Sequence, residues 1–229
     1  MSLQIPGAIL LSRDLPCALC GKDDQPRLLS HIIPSFVMKH ASVRAPTGYL
    51  RTSLSPNRRV QDGPKDYILC SRCEQLFSQW ERPFSNTYKQ FYLNPSLSFD
   101  YSKNDALCAL SMAWRVLYNA RSHPELKHLT LGTEYDRTDT AFAAWSEALL
   151  ASTNPGKFRL YWLFFDIVAG GSKIPEGINT YIFHGTDFDL LASNSQSFVY
   201  AHIPGVMIFG MTEDHNQSDW KDLRVSFSG

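Results

Sequence analysis

The sequence has no apolar run approaching the roughly 20 residues that span a bilayer. Its opening, Met1-Ser2-Leu3-Gln4-Ile5-Pro6-Gly7, has neither a basic n-region nor a long apolar h-region. Neither a membrane-spanning nor a secreted protein is expected, and a cytoplasmic location is. There is also no Gly-rich phosphate loop, no Ser or Cys nucleophile motif and no internal repeat. Net charge is absent too, at 22 Lys plus Arg against 22 Asp plus Glu. The balance hides an asymmetry, because residues 1–75 carry ten basic and six acidic side chains and the rest of the chain is acidic by the same margin. Arg44, Arg51, Arg58, Arg59, Lys65 and Arg72 are six of those ten basic side chains, and they are candidates for contact with nucleic-acid phosphates. On charge alone an ordinary solvated loop explains them equally well.

Cysteine is scarce, with five in 229 residues, but four of them stand in two pairs, Cys17-Ala18-Leu19-Cys20 and Cys70-Ser71-Arg72-Cys73. A two-residue spacer lets both thiolates of a pair face one ion, and two such pairs complete a tetrahedral zinc shell with no position open to substrate. The expected role is structural: the ion joins two distant segments of a small module. Chance pairs or disulfides are the alternative. Cys108, inside an apolar helical pattern, reads as a buried small residue.

Between the pairs, Arg27–Ile33 has strand character, and Pro34 then admits a helical turn over Ser35–His40. A strand at Tyr49–Leu54 and another at Lys65–Leu69 precede a helix that begins at Cys73 and places Leu76, Phe77 and Trp80 on one side. Asp105–Arg121 is the clearest helix, and Thr138–Leu150 makes a further one. The run Phe158–Val168 is too apolar for exposure and reads as a central strand, followed by strands at Thr180–His184, Phe188–Ala192, Ser197–Ile203 and Val206–Met211. His184 and His202, on two of these strands, read as hydrogen-bonded structural residues. The expected architecture is α+β, with a module over residues 1–95 and a second domain over 96–229 built of two or three helices and an antiparallel meander.

Cys17-x-x-Cys20, Ser30-His31-Ile32-Ile33-Pro34 and Cys70-x-x-Cys73-Glu74, taken together, resemble the four-cysteine branch of the HNH nucleases, the ββα-metal or His-Me finger family. The resemblance covers about residues 10–85. It implies a zinc-stapled hairpin and helix, a structural Zn²⁺, and Mg²⁺ or another divalent ion for catalysis. It also implies a metal-dependent endonuclease whose partner is nucleic acid, DNA foremost. By the same resemblance His31 matches the general base that takes a proton from the attacking water. Ser30 stands where the family carries an ion ligand, and Glu74 and Phe77 stand at its two helix positions. Glu74, Glu81 and His40 are therefore the substitute ligands, and Asn57 is the candidate for orienting the base. A catalytically inactive module that binds nucleic acid or a protein partner is the other reading.

Overall fold

A computed structural model describes residues 10–44, 48–52, 55–60, 62–93, 100–122, 135–165, 178–192, 196–214 and 218–227. Strand β1 (Leu28–His31) pairs antiparallel with β4 (Lys65–Leu69), and β4 runs through Cys70 into helix α2 (Ser71–Leu93). Between the paired strands lie α1 (Ser35–Arg44) and a hairpin of β2 (Leu50–Thr52) and β3 (Ser55–Val60). The register sets Leu28 against Leu69 and His31 against Lys65, so the cysteine pair and the histidine occupy opposite ends of the ladder. Three strand steps, about 10 Å, separate them.

Helix α2 runs unbroken through Pro83, and its stripe of Phe77, Trp80, Phe84, Tyr88 and Phe91 is buried throughout. The spacing of three or four residues explains both the helix and the face it hides. Each such side chain contributes about 1.5–3 kcal/mol on burial. That stripe meets α3 (Lys103–Ser122), where Phe77 packs edge-on against Trp114 at 5.9 Å. Every residue of α3 from Asp105 to Leu117 is buried, because α2 covers one side, α4 (Tyr135–Ala151) another and the C-terminal sheet a third. Trp114 stacks on Phe142 of α4 at 5.4 Å, and its indole N–H donates to Ser146 Oγ.

The C-terminal sheet is four-stranded and antiparallel, in the order β5 (Leu160–Phe164), β8 (Val206–Met211), β7 (Ser197–Ile203), β6 (Asp187–Ala192). The α+β class and the antiparallel meander are as expected, and one hydrophobic core runs without a break from Cys17 to Phe227.

Two elements differ from expectation. The apolar β5 is an edge strand, not a central one. Its outer side is covered by the C-terminal segment, where Tyr161 bridges Arg224 and Val225 N–H donates to Leu160 O. Thr180–His184 is not a strand but part of helix α5 (Ile178–His184), which Gly185 closes by donating its N–H to Tyr181 O. A carbonyl of that helix, Ile182 O, accepts from both His202 Nε2 and Gly205 N, anchorage that a strand-like residue pattern does not reveal. The end of the expected apolar run, at 166–168, lies outside the described residues. Among those described, no helix is long and apolar enough to cross a membrane.

Candidate metal centre and the histidine beside it

The two Cys-x-x-Cys turns meet. The Sγ atoms of Cys17, Cys20, Cys70 and Cys73 all lie within 4.8 Å of one another, and Cys20 Sγ is 3.9 Å from Cys70 Sγ. A tetrahedral ion with 2.3 Å bonds to sulfur places its ligands about 3.8 Å apart, so the spacing fits a closed four-thiolate shell. It does not fit a disulfide, whose sulfurs are about 2.05 Å apart, and all five cysteines are free thiols. Local backbone geometry builds the shell from both sides. Cys17 N–H donates to Lys22 O and Gly21 N–H to Cys17 O, with Gly21 at φ 67° closing the first turn. Glu74 N–H donates to Cys70 O as α2 begins, and Cys70 N–H points at Cys17 Sγ at 3.3 Å.

The thiols divide unequally. Hydrogen bonding from Cys73, with backbone N–H groups, brings Cys17 down to about 4 against the opposing effect of burial. The same contact with Cys17, together with burial, pushes Cys73 up, and burial raises Cys20. One thiolate is therefore easily formed and its neighbours are resisted by like charge, an arrangement that a divalent cation relieves. The donor set fits a structural metal.

Arg27 ties this centre to the rest of the molecule. Its buried guanidinium donates to Pro16 O at 2.7 Å, Tyr67 O at 3.1 Å and the Tyr118 hydroxyl at 2.5 Å, joining the first turn, β4 and α3. Cys108 is fully buried in α3, as its setting in the sequence indicates.

At the other end of the ladder His31 Nε2 lies 2.6 Å from Asp62 Oδ1, with the two side chains 22% and 30% exposed and thus reachable by solvent. Lys65 Nζ approaches Asp62 Oδ2 at 2.5 Å. Burial alone would raise Asp62, but hydrogen bonds from Lys65 and His31 and the His31 charge outweigh it and hold the carboxyl at about 2. Asp62 is thus an anion at any ordinary pH. In the tautomer protonated at Nε2 the imidazole donates to that carboxylate and carries its lone pair on Nδ1, which has no partner among the described residues. Behind the histidine, Arg115 of α3 donates to His31 O at 3.0 Å and to Glu81 Oε1 at 2.7 Å.

The remaining candidates scatter. Ser30 is buried, faces away from His31 as strand alternation requires, and donates to Leu28 O. Phe77 is core. Glu74 occupies the first turn of α2, and its Oε1 is buried with no hydrogen-bond partner among the described residues. Glu81 is held by Arg115, and His40 packs edge-on against Tyr88. Asn57 is exposed on β3, and the carboxylate that contacts the histidine is Asp62.

Of the basic residues, Arg51, Arg58 and Arg59 are exposed on the β2–β3 hairpin, with Arg59 over the Tyr49 ring, while Lys65 pairs with Asp62 and Arg72 with Asp24 at 2.6 Å. The Arg44 side chain lies outside the described residues. His202 is buried and bonded to Ile182 O, whereas His184 ends α5. The one group of three or more converging metal-ligand side chains among the described residues is the four-cysteine cluster.

Asp62 and Arg115 are the site residues that sequence reasoning missed. Asp62 was within reach. If the cysteine pairs align β1 with β4, His31 falls opposite Lys65, and Asp62, three residues before it, lies at the mouth of the same ladder. Arg115 carries no such signal, since it lies 84 residues from His31 in an otherwise apolar helix. No family model matches this chain, and no curated protein or solved structure matches it.

Proposed function

We propose that the chain is an HNH-like endonuclease in which the four cysteines hold zinc and His31 serves as general base on a nucleic-acid phosphodiester. The observation that carries the reading is the His31–Asp62 contact at the mouth of the β1–β4 ladder, whose far end is closed by four thiols and which is followed directly by a helix. Nδ1 accepts the proton of an attacking water, and the Asp62 carboxylate, fixed as an anion, stabilises the imidazolium that results. Lys65, paired with the other oxygen of Asp62, holds the carboxylate in place against the imidazole. The β2–β3 hairpin emerges between His31 and Asp62 and offers Arg51, Arg58 and Arg59 for backbone contact.

The second divalent ion implied by the family resemblance does not find its ligand set here. Ser30 is buried and turned away, Phe77 is packed, and no three ligands converge near His31 among the described residues. That same observation favours the second reading, a zinc module that binds nucleic acid without cutting it.

One assay separates the two. Metal-loaded wild type, His31→Ala and Asp62→Asn are incubated with supercoiled plasmid, single-stranded DNA and RNA, with Mg²⁺, Mn²⁺, Ni²⁺ or chelator. Under the nuclease reading His31→Ala lowers cleavage by about 10²–10⁴-fold and Asp62→Asn lowers it less. Equal cleavage by all three proteins rejects His31 as the base. No cleavage by any, with binding that weakens when Arg58 and Arg59 are changed to Glu, supports the binding module.

A further inference from the structure

Away from the histidine, the start of α3, the segment after α4 and the C-terminal segment border an open cavity of about 510 Å³. Lys103 opens α3, and Arg115, the residue behind His31, stands twelve residues further on, about 18 Å along the helix. The cavity is therefore a separate place on the molecule.

Its lining is one-sided in charge. Lys103, Lys221 and Arg224 contribute three exposed cations, and among the described residues none of them has an ion-pair partner and no acidic side chain lines the cavity. The helix N-terminus adds little of its own, because Asp105 Oδ2 already takes the N–H and hydroxyl of Ser102. The attraction for an anion rests on the three side chains. Two further lining residues, Val225 and Phe227, are 5% and 8% exposed and present a narrow apolar edge, while Thr153 and Asn154, just after α4, supply polar groups.

Those features define a ligand. Three cations with no counter-ion among the described residues match a group of charge −2, a phosphate monoester rather than a single carboxylate. The apolar edge beside them suits a flat body with one side to bury, and the polar rim one with hydrogen-bonding edges. The volume lies within the usual few-hundred to 1,000 Å³ of small-molecule sites and far exceeds what one inorganic phosphate fills. We propose that this cavity binds a nucleoside phosphate, with Lys103, Lys221 and Arg224 on the phosphate and the base against Val225 and Phe227. This inference does not depend on the reading of His31. The nucleoside phosphate has two sources, a free nucleotide or the phosphorylated end of a strand.

Calorimetric titration of the full chain with AMP, GMP, adenosine, inorganic phosphate and a 5′-phosphorylated oligonucleotide tests the proposal. A Lys221→Glu/Arg224→Glu variant, changed only at exposed side chains, is titrated beside it after its circular dichroism is matched to wild type. The expected result is saturable binding of a nucleotide, weaker binding of adenosine and of phosphate alone, and a loss of roughly tenfold or more in the variant. Tighter binding of the 5′-phosphorylated oligonucleotide than of AMP identifies a strand end as the source, and the reverse identifies free nucleotide. The proposal is overturned by the absence of saturable binding of any nucleotide or oligonucleotide. Phosphate binding as tight as nucleotide binding, or affinity unchanged in the double variant, overturns it equally.

Discussion

Replacing Arg115 with Met tests whether the two halves of the chain are joined by a specific polar contact or by packing alone. The Arg115 side chain is 3% exposed and donates to Glu81 Oε1, His31 O, Ser111 O and Ser111 Oγ, while its guanidinium carbon stands 5.1 Å from the Phe77 ring centre. Methionine preserves much of the stem but strands the Glu81 carboxylate and removes a donor from the histidine carbonyl. Removing one partner of a buried pair costs about 3–5 kcal/mol. Glu81 is 23% exposed, so water recovers part of that, and the expected loss is about 3 kcal/mol.

For a chain of this length that corresponds to a fall in Tm of about 6–12 °C. Adding Glu81→Gln to Arg115→Met removes the stranded charge and should restore about 1–2 kcal/mol, although Glu81→Gln in the wild-type background destabilises. The assay is urea and thermal unfolding followed by circular dichroism, with metal content equal in all four proteins. A single Arg115→Met variant within about 1 kcal/mol of wild type, or a double variant no more stable than the single, would refute the reasoning.

Three other outcomes are expected. Thiol titration of the folded protein with a mercurial should release about one equivalent of zinc, and Cys70→Ser should abolish that release and lower Tm, as read by a colorimetric zinc indicator and calorimetry. Asp62 is held at about 2 against an ordinary 3.8, so as pH falls the unfolded chain takes up that proton first. The resulting stabilisation, roughly 1–2 kcal/mol after allowance for exposure, is complete above about pH 5, declines between about pH 4 and 2, and is gone below. Urea unfolding of wild type and Asp62→Asn across that range should converge at the acid end. At Gly210 an added Cβ would come within 2.7 Å of Trp145 Cη2 and 3.0 Å of Ala113 Cβ and Val199 Cγ2, so Gly210→Ala should lose about 1–3 kcal/mol in the same assay.

The parts legible in the sequence are those where a local pattern carries the whole instruction. Two Cys-x-x-Cys turns imply one metal centre wherever the chain brings them together, and the spacing of Phe77, Trp80, Phe84, Tyr88 and Phe91 dictates a helix that buries that stripe. The 3.6-residue period of Asp105–Arg121 does the same for α3. What escaped depends on neighbours. Phe158–Val168 reads as a central strand because it is apolar, but β5 is an edge strand, covered on its outer side by residues some sixty positions away. Tyr181, Ile182 and Phe183 have strand-like side chains, yet the backbone there is helical, with Ile182 O bonded to His202 and Gly205. The candidate site divides the same way: His31 stands out by its motif, whereas Asp62 and Arg115 act on it through ladder register and helix packing.

The treatment of the sheet's two margins bears on how the protein behaves in concentrated solution. A strand with unpaired N–H and C=O groups is a template for another chain, and this sheet blunts its two ends by different means. On β6, the side chains of Asp187 and Asp189 bring negative charge to the margin. At the opposite margin the shield is the chain itself, through the bridge from Arg224 to Tyr161 and the bond from Val225 to Leu160. Removing the segment around Arg224 and Val225 would uncover a strand of five consecutive apolar residues, Leu160-Tyr161-Trp162-Leu163-Phe164. The C-terminal segment is thus the protein's safeguard against stacking on itself, and a tag or truncation placed there would show up as aggregation before it appeared as unfolding.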